Sequence, residues 1–361
     1  MFEDIDESKD DDLPELSEEY KLELEDSWGL NIFKRSIMGE VDVPCLSAGL
    51  DGSDQYVAAW YSNGEIKIFD PHGGGLLKRL QKDSESSGLP ATTVIKWKPH
   101  LDSKDSENLL LAGDNNGNIT KYDVTDGMVV DQIAWKGEEE NKIYAIDYTK
   151  NGRNFATAGY DGIVRIYDDI TMKLVQESDP FKSGHGGHSN RVFAVKFSKE
   201  DPNILVSGGW DNNIIIHDRR EKGPVNAIIG AYICGDALDI CGDKILSGSN
   251  RIDKQLQLWS LETTKLIQTI DWNGDGIFKG REKWRIFWTK FMVHSDSGKE
   301  YILAGGGITN ELRIFNNELK PIANIGNFSR GCFSCDNSNT GDSFLCAGGD
   351  GVVRLFKAFF Q

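Results

Sequence analysis

Seven segments of the chain share one order of apolar and polar positions. In each, an apolar run ends in small residues, a polar turn follows, and a second apolar run ends in a residue that is usually aromatic and then a polar one. The segments span residues 56–70, 109–123, 155–168, 204–218, 244–260, 301–316 and 344–357. Successive positions of both runs are apolar, which is typical of strands covered on both faces. The pattern therefore predicts seven hairpins in stacked sheets.

The turn inside these segments has a characteristic composition. The seventh residue before the end of each segment is Asn or Asp in six of the seven cases, and Gly follows in four of them. These positions are Asn63, Asn116, Asp161, Asp211, Asp253, Thr309 and Asp350. Both residues of an Asx-Gly pair tolerate a positive φ, so this pair between two apolar runs predicts a tight β-hairpin.

A further apolar run precedes several of the hairpins. The runs VIKW, AIDY, AVKF and WTKF cover residues 94–97, 145–148, 194–197 and 288–291. Each repeat thus supplies at least three strands, and the ends of successive segments lie 41 to 56 residues apart. This spacing is close to the period of a four-stranded propeller blade.

These repeats resemble those of the WD-repeat family. The Trp-Asp dipeptide of the family is represented here by the pairs FD, YD, YD, HD, WS, FN and FK. The resemblance covers residues 28–361 and implies an all-β fold, a seven-bladed WD-repeat β-propeller. In the family, one terminal segment closes the ring on the blade at the other end. The last repeat stops at AFFQ, so residues 30–38 are expected to be the closing strand that covers the sheet edge.

The same resemblance assigns a structural role to three polar residues. His188, Ser207 and Asp211 match the positions of a buried hydrogen-bonding network in the blades of the family. The Trp that usually completes this network is replaced by His217. The resemblance therefore implies a network that is incomplete or rearranged in this blade.

Charge is distributed unevenly along the chain. The net charge is −17, and residues 1–26 alone hold thirteen acidic residues and two lysines. Such a polyanionic segment repels phosphates, so neither nucleic acid nor anionic lipid is an expected partner. No apolar run is long enough to span a bilayer, so membrane insertion is not expected. The six cysteines are sparse in a chain of 361 residues and are expected to be reduced thiols of a cytoplasmic protein.

Residues 1–27 form an acidic N-terminal arm outside the repeats. Its apolar residues Leu13, Leu16, Tyr20 and Leu24 recur near helical spacing, and Pro14 suits a first helical turn. One interpretation is an amphipathic helix over residues 13–26 that binds a partner or the ring. The other is a disordered tail that keeps the protein soluble.

A candidate binding surface follows from the resemblance. In the family, the residue before the turn Asx often lies on the top face and contacts partners. Tyr160 and Trp210 hold this position in adjacent repeats, and aromatic residues of this kind are frequent binding hot spots. The alternative is that both side chains fold back over a neighbouring blade. The other candidate positions on this face are Asn115, Ile252 and Ile308.

The stretch DWNGDGIFKGRE, residues 271–282, fits a calcium-loop pattern. Calcium would be bound by Asp271, Asn273, Asp275 and Glu282. The flanking residues fit strands of the repeat better than the helices of a calcium-binding hand, so a polar loop between blades is the favoured interpretation. No other cofactor is expected. Cys332 and Cys335 form a lone CxxC that is expected to point to opposite faces of a strand, which disfavours a metal site.

The expected function is a non-catalytic scaffold for protein–protein interactions in a multi-subunit assembly, with no small-molecule substrate. Residues 201–220 and 224–240 resemble WD-repeat proteins common in ciliated and flagellated eukaryotes, which implies a ciliary or microtubule-associated assembly. The sequence contains no G-x-S-x-G, phosphate-loop or kinase motif. Two alternatives stay open: a soluble adaptor for a basic or histone-like partner, and a propeller hydrolase built from scattered residues.

Overall fold

The computed structural model describes twelve parts of the chain: residues 24–25, 30–39, 41–80, 92–100, 108–137, 141–180, 186–251, 253–270, 272, 285–307, 310–326 and 328–360. They form 29 β-strands in seven sheets. The fold is an all-β, seven-bladed propeller, and this part of the prediction is confirmed. Within these parts of the chain, no helix is long and apolar enough to cross a membrane.

Two strands precede the blades, β1 (Leu24–Glu25) and β2 (Leu30–Gly39). Blade 1 contains β3 (Cys45–Leu50), β4 (Val57–Tyr61), β5 (Ile66–Phe69) and β6 (Leu76–Leu80). Blade 2 contains β7 (Thr92–Trp97), β8 (Leu109–Asp114), β9 (Ile119–Asp123) and β10 (Met128–Ile133). Blade 3 contains β11 (Ile143–Tyr148), β12 (Asn154–Gly159), β13 (Val164–Asp168) and β14 (Lys173–Ser178).

The remaining blades repeat this layout. Blade 4 contains β15 (Val192–Phe197), β16 (Ile204–Gly209), β17 (Asn213–Asp218) and β18 (Pro224–Ile229). Blade 5 contains β19 (Leu238–Cys241), β20 (Lys244–Gly248), β21 (Leu256–Ser260) and β22 (Leu266–Ile270). Blade 6 contains β23 (Ile286–Val293), β24 (Glu300–Gly306), β25 (Leu312–Phe315) and β26 (Pro321–Ile325). Blade 7 contains β27 (Cys332–Asn337), β28 (Ser343–Gly348) and β29 (Val352–Phe360).

Each blade is an antiparallel sheet whose strands follow chain order from the axis outward, except that β1 and β2 are the outermost strands of blades 6 and 7. The first strand of every blade contacts the first strands of both neighbours, so these seven strands surround the axis. The apolar core lies between adjacent sheets; Val206 of blade 4, Leu246 of blade 5 and Ile302 of blade 6 belong to one buried cluster. This double coverage explains why both faces of the strands are apolar in the sequence.

The ring closes through β2, which is the outermost strand of blade 7. Its pairing with β29 runs from Leu30 opposite Phe360 to Gly39 opposite Val352. The segment assigned to closure from the sequence, residues 30–38, therefore lies at this edge. Strand β1 pairs with β26 and adds a fifth strand to blade 6. The helix expected over residues 13–26 is thus wrong for Leu24, which lies in a strand; Leu13, Leu16 and Tyr20 lie outside the described residues.

The hairpin turns use Asx and Gly in different ways. Gly64, Gly117, Gly162 and Gly351 have φ values of 92°, 84°, 75° and 79°. The Asx residues before them do not have positive φ; in three of the four turns the side-chain oxygen of this residue accepts the backbone N–H two residues later, as Asp161 does from Ile163 at 3.0 Å. In the turn of blade 2, Asp114 is the acceptor instead, from the backbone N–H groups of Asn116 and Asn118. The turn signal in the sequence was correct, but only the glycine supplies the positive φ.

Charged residues alternate around the axis at one position of the first strands. In blades 2 to 7 this position is occupied by Lys96, Asp147, Lys196, Asp239, Lys290 and Asp336, which we call the axial charge ring. Blade 1 has Gly49 there. Alternation cannot close over an odd number of blades. A Cβ at Gly49 would lie 3.1 Å from a carboxylate oxygen of Asp336, so the missing side chain leaves room for that carboxylate.

The axial charge ring links neighbouring blades. Asp147 accepts a hydrogen bond from Lys96 of blade 2 at 2.9 Å through Oδ1 and one from the backbone N–H of Phe197 of blade 4 at 2.8 Å through Oδ2. Asp336 does the same with Lys290 of blade 6 and the backbone N–H of Leu50 of blade 1.

The other interfaces are linked in related ways. Lys196 donates to Asp236 at 2.8 Å, and Asp239 accepts from the backbone N–H of Phe291 at 2.7 Å. The indole of Trp97 donates to the carbonyl of Gly49 at 2.9 Å and joins blades 1 and 2. All seven interfaces therefore have a polar link near the axis.

The pair of Lys96 and Asp147 stays charged at neutral pH. Burial opposes the ionisation of Asp147, but Lys96 and Lys196 outweigh it and hold its pKa below the ordinary value. Burial likewise opposes the charge on Lys96, but Asp147 and Asp336 outweigh it and raise its pKa.

We expect Asp147→Asn to lower the free energy of unfolding by about 2–3 kcal/mol, less than the ~3–5 kcal/mol of a fully buried pair because Lys96 is partly exposed. Because the folded-state pKa of Asp147 lies below its unfolded value of about 3.9, its contribution is present above that pH and is lost as pH falls through the folded-state pKa. The variant should therefore lose less stability on acidification than the parent. Denaturant unfolding at pH 7 and at acidic pH measures both effects. Asp131→Asn on exposed β10 is the matched control, and equal acid sensitivity of parent and Asp147→Asn would contradict the prediction.

Deleting residues 1–39 should open the edge of β29 and cause aggregation or a much lower unfolding temperature. Ile32 and Met38 of β2 are buried, and each contributes about 1.5–3 kcal/mol of apolar burial. Thermal unfolding with light scattering measures the effect. Deletion of residues 1–23 retains β1 and β2 and should lower the unfolding temperature far less than deletion of residues 1–39. Equal behaviour of the two deletions would show that β2 does not hold the ring.

Candidate functional site

The turns between second and third strands lie at the same end of the propeller as the segments that lead into the first strands. Backbone hydrogen bonds join the two: Tyr160 donates to the carbonyl of Lys142 at 2.9 Å, and Trp210 donates to that of Arg191 at 3.0 Å. We call this end the top face. Its turn residues are thus held beside the residues that open the neighbouring inner strand of the same blade.

Tyr160 and Trp210 come together around a cation on the top face. The guanidinium of Arg191 lies 4.4 Å from the ring centroid of Tyr160 and 5.0 Å from that of Trp210. Tyr160 is 42 % exposed, and Trp210 is half-buried. Both aromatic residues are recognisable in the sequence from their place in the turns, whereas the arginine that joins them is not.

Trp210 is also fixed by the segment that leads to blade 5. Its ring stacks on Tyr232 at 6.2 Å between centroids and contacts Phe193 at 5.0 Å. Its indole N–H donates to the sulfur of Cys234 at 3.1 Å. Burial raises the pKa of Cys234, so the acceptor is a neutral thiol. Trp210 therefore packs on the adjoining segment, as the alternative interpretation has it, and still presents part of its ring to solvent.

Six of the seven inner strands contain a β-bulge near their top end. The unmatched residues are Leu46, Thr93, Tyr144, Phe193, Phe287 and Phe333. A bulge turns its extra side chain away from the regular alternation of the strand. Four of these half-buried residues are aromatic, and they contact each other in pairs: Tyr144 stacks on Phe193 at 4.8 Å, and Phe287 meets Phe333 edge-on at 6.0 Å.

Basic residues accompany the bulged aromatic residues. Lys142, Arg191 and Arg285 directly precede their inner strands, and Arg330 lies two residues before the fourth one. We call the set Tyr144, Phe193, Phe287, Phe333, Arg191, Arg285 and Arg330 the collar. Its signal is visible in the sequence as the triplets KIY, RVF and RIF. The alternation of apolar positions does not indicate these triplets, because the bulge shifts the aromatic residue out of the regular pattern.

Of the other three residues predicted for the top face, the structure describes one. Asn115 lies half-buried in the corresponding turn of blade 2. Ile252 and Ile308 lie outside the described residues. The positions that make the equivalent backbone hydrogen bond in blades 5 and 6 are Asn250 and Gly307. The hairpins of these two blades are longer, so counting back from the segment end shifts the register.

The polar network of blade 4 is a continuous chain of four side chains. His188 Nδ1 lies 2.9 Å from Asp211, and His188 Nε2 lies 2.8 Å from the hydroxyl of Ser207. The same hydroxyl lies 2.8 Å from Nε2 of His217. In blade 5 the equivalent bond is donated by the indole of Trp259 to Ser247 at 2.9 Å. His217 thus takes the place of the tryptophan and keeps the chain continuous.

The charges of these four side chains indicate which nitrogen atoms carry protons. Nδ1–H of His188 donates to Asp211, whose pKa is held low by His188 against the effect of burial. Burial, helped by the charge of His188, lowers the pKa of His217 to about 3, so His217 is neutral near pH 7. A Ser, a His and an Asp in this order have the connectivity of a hydrolase triad. Ser207 is 0 % exposed, however, so this arrangement gives a substrate no access to the hydroxyl.

Of the two candidate metal sites in the sequence, the structure describes only the pair of cysteines. Asp271, Asn273, Asp275 and Glu282 lie outside the described residues, so the calcium loop stays a prediction. Its flanks are strands β22 and β23, as the repeat predicts. Cys332 and Cys335 share one buried cluster because the bulge intervenes, so their expected placement on opposite faces is wrong. No group of three metal-ligating side chains occurs in the described part of the chain.

Comparisons with known proteins agree with these repeats. The family model described as "WD domain, G-beta repeat" matches residues 132–168 and 180–218. "APC/C activator protein CDH1" of Saccharomyces cerevisiae is 22% identical over 260 residues, 62% of this chain and 44% of the relative. "Meiotic fizzy-related protein 1" of Schizosaccharomyces pombe is 24% identical over 344 residues, 81% of this chain and 76% of the relative. "WD repeat-containing protein 89 homolog" of Dictyostelium discoideum is 23% identical over 282 residues, 76% of this chain and 71% of the relative. The chain thus spans less than half the length of the first of these relatives.

We expect His217→Trp to reduce the loss of stability in weak acid. The pKa of His217 is about 3 when folded and about 6.5 when unfolded. Its neutral burial therefore supports the fold above the unfolded value, and this support is lost as pH falls from there towards the folded-state value, by up to ~1.4 kcal/mol per pH unit. Tryptophan at this position can donate its indole N–H to the serine, as Trp259 does in blade 5, and it does not titrate. Denaturant unfolding between pH 7 and pH 4 measures the slope, and an unchanged slope in the variant would exclude His217 as its source.

Proposed function

We propose, since the chain belongs to the WD-repeat β-propeller family, that it is a non-catalytic adaptor that binds other proteins through its top face. The observation that carries this proposal is the cluster of Tyr160, Arg191 and Trp210, which shares Arg191 with the collar. Aromatic and arginine side chains dominate binding hot spots, because they offer large contact areas with little conformational freedom to lose. Here Arg191 and Trp210 are fixed by neighbouring rings before any partner arrives.

The name of one relative supports a role inside a larger assembly, because it is called an activator of the APC/C. This chain is 22% identical to that relative and spans 44% of its length. We therefore take from it only the general role, which is binding to other proteins within a multi-subunit complex. The partner itself is not carried over.

Several narrower proposals from the sequence stay predictions. A ciliary, flagellar or microtubule-associated assembly is one, and a cytoplasmic location is another. A basic or histone-like partner would suit the acidic arm rather than the collar, because the collar carries arginines. Co-sedimentation with the cytoskeletal fraction separates the first from a freely soluble adaptor. Calcium titration of the intact protein tests the loop at residues 271–282.

Arg191→Glu should reduce recovery of the main protein partners by about 30-fold, the effect of losing a hot spot of roughly 2 kcal/mol. The change removes the cation between two aromatic rings and places a carboxylate against their faces. Affinity capture from native cells with quantitative mass spectrometry measures recovery.

Ile170→Glu is the matched control. Ile170 is 81 % exposed and lies in the turn between β13 and β14, at the opposite end of the propeller. This variant should recover the same partners as the parent. Equal recovery by Arg191→Glu would exclude the cluster as the binding site.

A further inference from the structure

The acidic arm leaves the propeller at the top face. Strand β1 is antiparallel to β26, and Leu24 lies opposite Ile325, the last residue of β26. The chain then leads from β26 towards blade 7 along the top face, through the segment that carries Arg330. The chain therefore enters β1 at the top rim of blade 6, on the side from which the segment with Arg330 leaves.

The arm and the collar have opposite chemistry. Residues 1–23 contain eleven acidic residues and two lysines. Apolar residues stand among the acids; they are Phe2, Ile5, Leu13, Leu16, Tyr20 and Leu22. The collar offers three arginines and four half-buried aromatic rings. Arg285 is exposed, and the described residues include no acidic partner for its guanidinium. Carboxylates of the arm can pair with the arginines while its apolar side chains cover the rings.

The distance between them is short. Strand β1 is separated from β23, the inner strand of blade 6, by β24, β25 and β26. Four strand spacings of about 4.8 Å make roughly 19 Å. An extended chain covers about 3.3 Å per residue, so about six residues bring the arm from the rim to Phe287. The rest of the arm is long enough to follow the collar across blades 3 to 7.

We propose that the collar is a binding site for an acidic segment with interspersed apolar residues, and that residues 1–23 occupy it within the same chain. The arm then covers the surface that the proposed function assigns to partners. A partner must bring a similar acidic segment or remove the arm. This inference rests on the collar of the proposed function, but the arm can bind it whether or not the protein is an adaptor.

Attachment to the ring makes even a weak contact effective. A short flexible tether gives an effective concentration in the millimolar range. An arm that binds in the intermolecular case with a Kd of about 0.1 mM would thus weaken a competing acidic peptide about tenfold. Because the contact is between exposed charges, its strength should fall steeply with ionic strength.

The experiment measures binding of a labelled peptide of residues 1–23. Fluorescence anisotropy is recorded with the full chain and with a variant that lacks residues 1–23 but retains β1 and β2. We expect the shortened protein to bind the peptide at least tenfold more tightly than the full chain, and we expect high salt to abolish binding. Arg285→Glu in the shortened protein should remove binding. Arg153→Glu, an exposed arginine in the turn between β11 and β12 at the opposite end, should have no effect.

A second measurement tests the contact within the full chain, in case the free peptide binds too weakly to be detected. Benzoylphenylalanine replaces Tyr20 in the full chain, and irradiation should cross-link it to collar segments around Phe193 or Phe287. Equal binding by the full and shortened proteins, or binding unchanged by Arg285→Glu, would overturn the inference. So would cross-links confined to other surfaces. If the arm fails these tests while Arg191→Glu still loses cellular partners, the adaptor function stands alone. If the arm binds and no partner depends on Arg191, the adaptor function fails instead.

Discussion

The two oxygens of an aspartate carboxylate hold this propeller together at its axis. Asp147 uses one oxygen for Lys96 of the preceding blade and the other for a backbone N–H of the following blade. Asp336 repeats the arrangement in blade 7. One carboxylate thus joins three blades. The three aspartates of the axial charge ring together link five of the seven interfaces, and lysines occupy the positions between them. Lys196 links blades 4 and 5 through Asp236, which lies outside the ring.

An odd number of blades leaves one position of the ring that alternating charges cannot fill. The gap falls at blade 1, where Gly49 has no side chain and its carbonyl accepts from the indole of Trp97. The ring thereby avoids placing two like charges side by side in a region of low polarity, where the repulsion would be costly. The top face depends on this ring, because its turn residues are hydrogen-bonded to the starts of the same inner strands.

What the sequence could predict was local. Whether an Asx-Gly turn and the apolar strands around it form is decided by residues that are adjacent in the sequence. Seven hairpins and the order of the blades could therefore be predicted. Sequence analysis did not identify the alternation of Lys96, Asp147 and Lys196, although it is visible in VIKW, AIDY and AVKF. A charge within an apolar run suggests an exposed strand until the closed ring shows that these positions face one another across blades.

The site was harder to predict because it depends on irregular backbone. A bulge displaces one residue from the alternation of the strand, so Phe193 and Phe287 reach the top face although the pattern would place them in a sheet. Tyr160 and Trp210 were found because they occupy a turn. Arg191 was missed because its partner rings come from two different blades. Arg191 gives the top face a fixed positive charge in a chain that is acidic as a whole. Because the two rings hold its guanidinium in place, it cannot reach a distant carboxylate. A negative charge that pairs with it must therefore come to this face.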